Sequence, residues 1–240
     1  MPLTWAFVLL AIGALGVLPG ASPFPAPTGS PVIEPQVGAP SAAAPDDRKL
    51  AERERKVQVA RERFADAVKQ VGIAHGLFAS TTRASVIYEV LKEQAGSGRC
   101  REELATAKTD SGRARQDLGS AVRGASTKFE QAVSAAGAVD SEFFKKGIGR
   151  SADDEFPWYP KDARDAIRKR LEQLRMLYKY VDSSMTKDNH RSRLWKAAKD
   201  YEAMGAEHGV PKASATALIP SAIEVPCIGK RIDMHVSSSR

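Results

Sequence analysis

Residues 101–136 read REELATAKTDSGRARQDLGSAVRGASTKFEQAVSAA. Leu104, Ser111, Leu118, Ala125 and Ala132 recur every seven residues, and Ala107, Ala114, Ala121 and Lys128 form a second, weaker row beside Val122 and Phe129. A seven-residue repeat of this kind marks a helix that packs lengthwise on another. The repeat is built mostly from small side chains, which let two helix axes approach closely. Gly112, Gly119 and Gly124 oppose an unbroken helix by about 1 kcal/mol each.

The flanking sequence is equally helical in composition. Residues 46–156 contain no proline, a run of 111 residues. Proline costs about 3 kcal/mol inside a helix, so its absence favours long ones. One helix is expected from Asp47 to Gly72, with Asp46 or Asp47 as its cap. Leu50, Val57, Ala60, Phe64, Val68 and Val71 form its apolar stripe, and Arg53, Glu54, Arg55, Lys56, Arg61, Glu62 and Arg63 its solvated face. A second is expected over Thr81–Ala95, ending at Gly96-Ser97-Gly98, and the quoted stretch is a third. A fourth should follow Pro160 to about Asp182, with Ala163, Ile167, Leu171, Leu174, Tyr178 and Val181 inward. A fifth should run from about Lys187 to Ala206, with Leu194, Ala198, Tyr201 and Met204 inward. Pro211, Pro220 and Pro226 then forbid long helices. The fold class expected is all-α, an irregular bundle of about five helices with an extended C-terminal tail. The helical domain spans 46–209 and the tail 210–240.

The amino-terminal end has a different character. The first 22 residues, MPLTWAFVLLAIGALGVLPGAS, carry no charged side chain and leave through small residues. This is the pattern of a secretory signal peptide with cleavage near Gly20–Ser22. The apolar part, Leu3–Pro19, is 17 residues and is broken by Gly13 and Gly16, short for a spanning helix. No stable membrane anchor is expected after cleavage. Residues 23–45 hold seven prolines and a single charge, Glu34, and are expected to be a disordered, extended leader.

All 36 Lys and Arg lie from Arg48 onward, while three of the 29 acidic residues precede it, so Arg48–Arg240 carries +10. Basic and acidic residues interleave throughout, which together with export argues against nucleic acid as the partner. Cys100 and Cys227 make an even count in an exported chain, so a disulfide between them is expected.

The chemistry of a catalytic site is harder to find. His75, His190, His208 and His235 have no metal-ligating partner at helical spacing, and no cysteine pair has zinc spacing. No nucleophile elbow or nucleotide fingerprint occurs. No cofactor and no metal are expected. His75, beside Gly76, reads as a helix-end capping or surface residue. The most distinctive loop is Asp153-Asp154-Glu155-Phe156-Pro157-Trp158-Tyr159-Pro160. Phe156, Trp158 and Tyr159 are candidate binding residues, since Trp and Tyr dominate interface hot spots. The alternative is that they plug the end of the bundle. On the fourth helix, Lys161, Arg164, Arg168, Arg175 and Lys179 fall within about 40° of one line. Arg164, Arg168, Arg175 and Lys179 extend the candidate surface towards an acidic partner. The dibasic Lys230–Arg231 is a candidate processing site.

Arg48-Lys49-Leu50-Ala51 followed by Glu52-Arg53-Glu54-Arg55 resembles the Arg-x-Leu-Arg and Glu-Glu-Arg translocation motifs of oomycete effectors. Ala51 stands where that family has Arg, the order of charges differs, and eight residues do not define membership. The function expected is a secreted, non-enzymatic interaction protein, an effector or virulence-type factor that binds a host protein and is delivered outside the cell or into a host cell. Two alternatives remain open. A helical, chorismate-mutase-like enzyme would need several Arg or Lys side chains converging on an enclosed polar cavity. An extracellular ligand carrier would need an apolar cavity.

Overall fold

A computed structural model describes residues 45–95, 98, 100–183 and 187–235. The signal segment 1–22, and the leader 23–45 save for the placement of Pro45 at a helix start, lie outside the described residues.

Helix α1 runs Pro45–Glu93 and helix α2 runs Arg101–Glu142. Pro45 takes the first helical position, where its missing N–H is not needed, and Asp46 and Asp47 fall in the positive first turn. The two helices form an antiparallel hairpin. Its ends are paired by Lys56 with Glu142 and by Arg115 with Ser85 and Glu89. The seam between them is filled by Val57, Ala60, Ala67, Val71, Ala74 and Phe78 from α1, and by Leu118, Ala121, Val122, Ala125, Phe129 and Ala132 from α2. The heptad row from Ser111 to Ala132 is therefore the packed face of α2.

Two helices expected over 47–95 are a single one of 49 residues. Gly72 and Gly76 do not break it. Ala74 and Phe78 are both fully buried and carry the stripe from Val71 to Thr81, Thr82 and Ser85. Burying a Phe side chain contributes about 2–3 kcal/mol, which offsets about 1 kcal/mol for each glycine. His75 thus sits in mid-helix, not at an end. Near the start of α1 the stripe is also rotated from the expected one: Leu50 is 46% exposed and Arg53 only 5%.

After α2 the chain makes a 3-10 turn at Phe144–Lys146 and the short helix α3, Ala152–Glu155. Ser151 caps α3 by accepting from the Asp154 N–H at 3.3 Å, and Asp140 accepts from the Ala152 N–H. Helix α4, Lys161–Val181, lies against α2, and α5, Asp188–Ala203, packs on α4. Gly119 allows the α4 approach, because the Tyr178 hydroxyl occupies the place a Cβ would take.

The tail is more structured than an extended strap. It contains α6, Ala215–Leu218, and a hairpin of β1, Ala222–Val225, with β2, Lys230–Asp233, paired Ile223 to Ile232. Leu218, Ile219, Ile223, Val225, Ile232 and Met234 are buried against the helices. Lys230 and Arg231 lie inside β2. Cys100, at the head of α2, is disulfide-bonded to Cys227 in the 3-10 turn between the strands, with Cα atoms 6.1 Å apart. Among the described residues no helix is long and apolar enough to cross a membrane.

Candidate functional site

The loop from Ile148 to Pro160 is held by charge as much as by apolar packing. Arg53 donates to the Arg150 carbonyl at 2.9 Å and to Glu155 at 3.2 Å, and Arg61 reaches the other Glu155 oxygen at 2.7 Å. Gly149 adopts φ +74°, and a Cβ there would overlap the Arg53 guanidinium. Within the run Glu52–Arg55, Arg53 therefore anchors this loop. Asp153 and Asp154 remain exposed.

Anchoring the loop drives its aromatic residues inward. Phe156 is 1% exposed and Trp158 5%. Trp158 stacks on Phe64 with ring centroids 4.6 Å apart, and Phe64 meets Phe129 edge-on. Phe156 and Trp158 thus fill the space between α1, α2 and the loop, and a partner cannot reach them without opening the core. Tyr159 is half-buried at the surface, with the Arg164 guanidinium 4.6 Å from its ring centre. Burial, and then the nearby Asp140, push its hydroxyl pKa up.

The basic stripe of α4 is not uniform. Arg164 is committed to Tyr159. Arg168 makes a two-pronged ion pair with Glu130 at 3.0 and 3.1 Å, which raises the guanidinium pKa. Arg175 and Lys179, one turn apart, are exposed, and no carboxylate pairs with either among the described interactions. Arg123 of α2 approaches the same place, since it and the Tyr178 hydroxyl both crowd the vacant Cβ position of Gly119. Among the described interactions, the stripe's exposed cations without a carboxylate partner are thus Lys161, Arg175 and Lys179, and Arg123 of α2 joins them where α2 meets α4 at the half-buried Tyr178. Sequence reasoning missed Arg123 because it belongs to another helix; the glycine in the α2 seam was the available signal.

A second polar cluster lies in the core. Arg170 is 1% exposed. Its guanidinium donates to the Gly205 carbonyl, to the Pro211 carbonyl at 2.8 Å and to the Tyr201 hydroxyl at 3.4 Å. His75 Nε2 lies 2.6 Å from the same hydroxyl. The Tyr201 oxygen accepts from Arg170 and shares its remaining hydrogen-bonding capacity with His75 Nε2, the direction of that bond being set by the His75 tautomer. Burial, and then the Arg170 charge, lower His75 from 6.5 to about 4. The signal in the sequence was a charge at 170, on the apolar stripe between Ile167 and Leu174.

That cluster makes a pH prediction. His75 binds its proton less well folded than unfolded, so it favours the fold above pH 6.5, and this advantage is lost as the pH falls from 6.5 to about 4. The loss is about 2 kcal/mol after discounting for partial exposure. Urea melts of wild type and His75→Gln at pH 7 and pH 4 should show a smaller acid penalty in the variant. An equal penalty in both proteins would contradict the assignment.

Among the described residues the buried arginines, Arg53 and Arg170, are each engaged by protein acceptors rather than facing an enclosed polar cavity. Among the described residues, Cys100, Glu103 and Cys227 are the group close enough to hold a metal ion. Their two sulfurs are bonded to each other. Fold and site together define an all-α, disulfide-tethered bundle with a cationic face on α4. No protein-family model, no curated protein and no solved structure matches the chain.

Proposed function

We propose that this is an exported, non-enzymatic interaction protein, an effector or virulence-type factor that docks an acidic host protein through the α4 face. The observation that carries this reading is the pair Arg175 and Lys179 on α4, joined by Arg123 of α2, none of which has a carboxylate partner among the described interactions, whereas Arg164 is stacked and Arg168 neutralised. Unpaired cations on a rigid surface steer and orient an acidic partner. The signal-like residues 1–22 and the Cys100–Cys227 bond support export to an oxidising compartment.

The test is capture from host extract on the immobilised, oxidised protein, compared with Arg123→Glu/Arg175→Glu/Lys179→Glu. All three sites are exposed, so the variant should melt within about 0.5 kcal/mol per site of wild type. Partners held by wild type should be lost from the variant, and their binding to wild type should weaken with added salt. Capture that is indifferent to charge reversal would refute the α4 face.

A further inference from the structure

The hairpin of α1 and α2 is not sealed along its whole length. Beside the disulfide it carries a groove of about 880 Å³, within the size range of small-ligand sites. Ala84, Ile87 and Leu91 line it from α1 and Ala107 from α2, and Val225 and Pro226 close its end. The floor is apolar: Leu91, Ala107 and Val225 are buried, and Ala84 and Ile87 half-buried. The rim is acidic. Glu102, Glu103 and Asp110 face it from α2, against the guanidinium of Arg83 among the described residues. All three carboxylates are exposed, and no ion pair or hydrogen bond engages them among the described interactions. The α2 dipole partly offsets Glu102 and Glu103 in the first turn, but Asp110 lies two turns further on, beyond that effect.

The geometry points to a binding site for an amphiphilic cation, an aliphatic chain ending in an ammonium group. The chain would lie on Ala84, Ile87, Ala107 and Val225, and the ammonium among Glu103 and Asp110. An anionic headgroup would meet like charge, and an uncharged ligand would cover the carboxylates without pairing them. A site of this kind meets the requirement of a ligand carrier and uses none of the residues of the α4 face. Cys227 lines the groove, so its bond to Cys100 fixes the end wall against α2.

Titration calorimetry of the oxidised full chain tests this, with decyltrimethylammonium below its micelle concentration. Decyl sulfate and decyl maltoside serve as probes with the same chain. The cation should bind at a single site, at least about tenfold more tightly than either comparator. Glu103→Lys/Asp110→Lys should weaken it about tenfold, with Tm lowered by only about 2–4 °C for the loss of the favourable Glu103 charge in the first turn of α2. Thr106→Trp, an exposed lining position, should abolish it by filling the groove. Equal binding of all three probes, binding unmoved by the charge reversal, or no binding of the cation would overturn the proposal. So would uptake of a Lys/Leu amphipathic peptide in preference to the amine, which would make the groove a helix-docking surface.

Discussion

Replacing Cys100 and Cys227 by serine lowers the stability of the oxidised protein by about 5 kcal/mol and its Tm by about 10–20 °C. The bond spans a separation of 127 residues, and cross-linking a loop that long removes much of the entropy of the unfolded chain. The tail does not simply fall away in the variant. Leu218, Ile219, Ile223, Val225, Ile232 and Met234 still bury their side chains, each contributing about 1.5–3 kcal/mol. The serine variant therefore stays folded, while amide exchange quickens in β1, β2 and α6. Its denaturant m-value rises, because the unfolded chain is no longer held compact. Urea melts with exchange mapping check this; unchanged stability after loss of the bond would contradict the staple.

Arg170→Met should cost about 3–5 kcal/mol. The methionine fills much of the space but leaves the Gly205 and Pro211 carbonyls and the Tyr201 hydroxyl without their donor. Arg170→Lys should recover only part of the loss, since an ammonium cannot reproduce the planar fork that reaches these acceptors together. A second readout separates this role from mere packing. Arg170 is one of the two causes that hold His75 at about 4, so the His75 pKa should rise in Arg170→Met, read by an NMR titration of the ring. A neutral substitution with an unmoved His75 would show that the guanidinium does not organise the cluster.

The fold was legible wherever one period ran without interruption. The seven-residue row in α2, the Ile167–Leu174 stripe of α4 and the cysteine pair all stand where the sequence places them. What could not be read were long-range uses of polar residues. Arg53 belongs to a charged run and reads as solvated, yet Glu155, 102 positions away, draws it inward. His75 follows Ala74 and precedes Gly76, which suggests a helix end; only the burial of Phe78 from the next turn carries α1 through. The loop 153–160 offers aromatics as if to a partner, while Phe64 on α1 already takes Trp158. For the same reason the candidate surface contracts from seven residues to the exposed part of α4, and gains Arg123 from α2. A groove between two helices and a turn from the tail has no sequence signature, because its lining comes from three separate segments.

Export of a disulfide-tethered bundle is the central prediction. An intact mass of the protein recovered from culture medium, denatured and alkylated without reduction, tests both parts at once. The chain should begin within a few residues of Ser22, carry no alkylated thiol, and weigh two hydrogens less than its reduced form. A chain retained in the cells, still beginning at Met1 and alkylated at both Cys100 and Cys227, would contradict it.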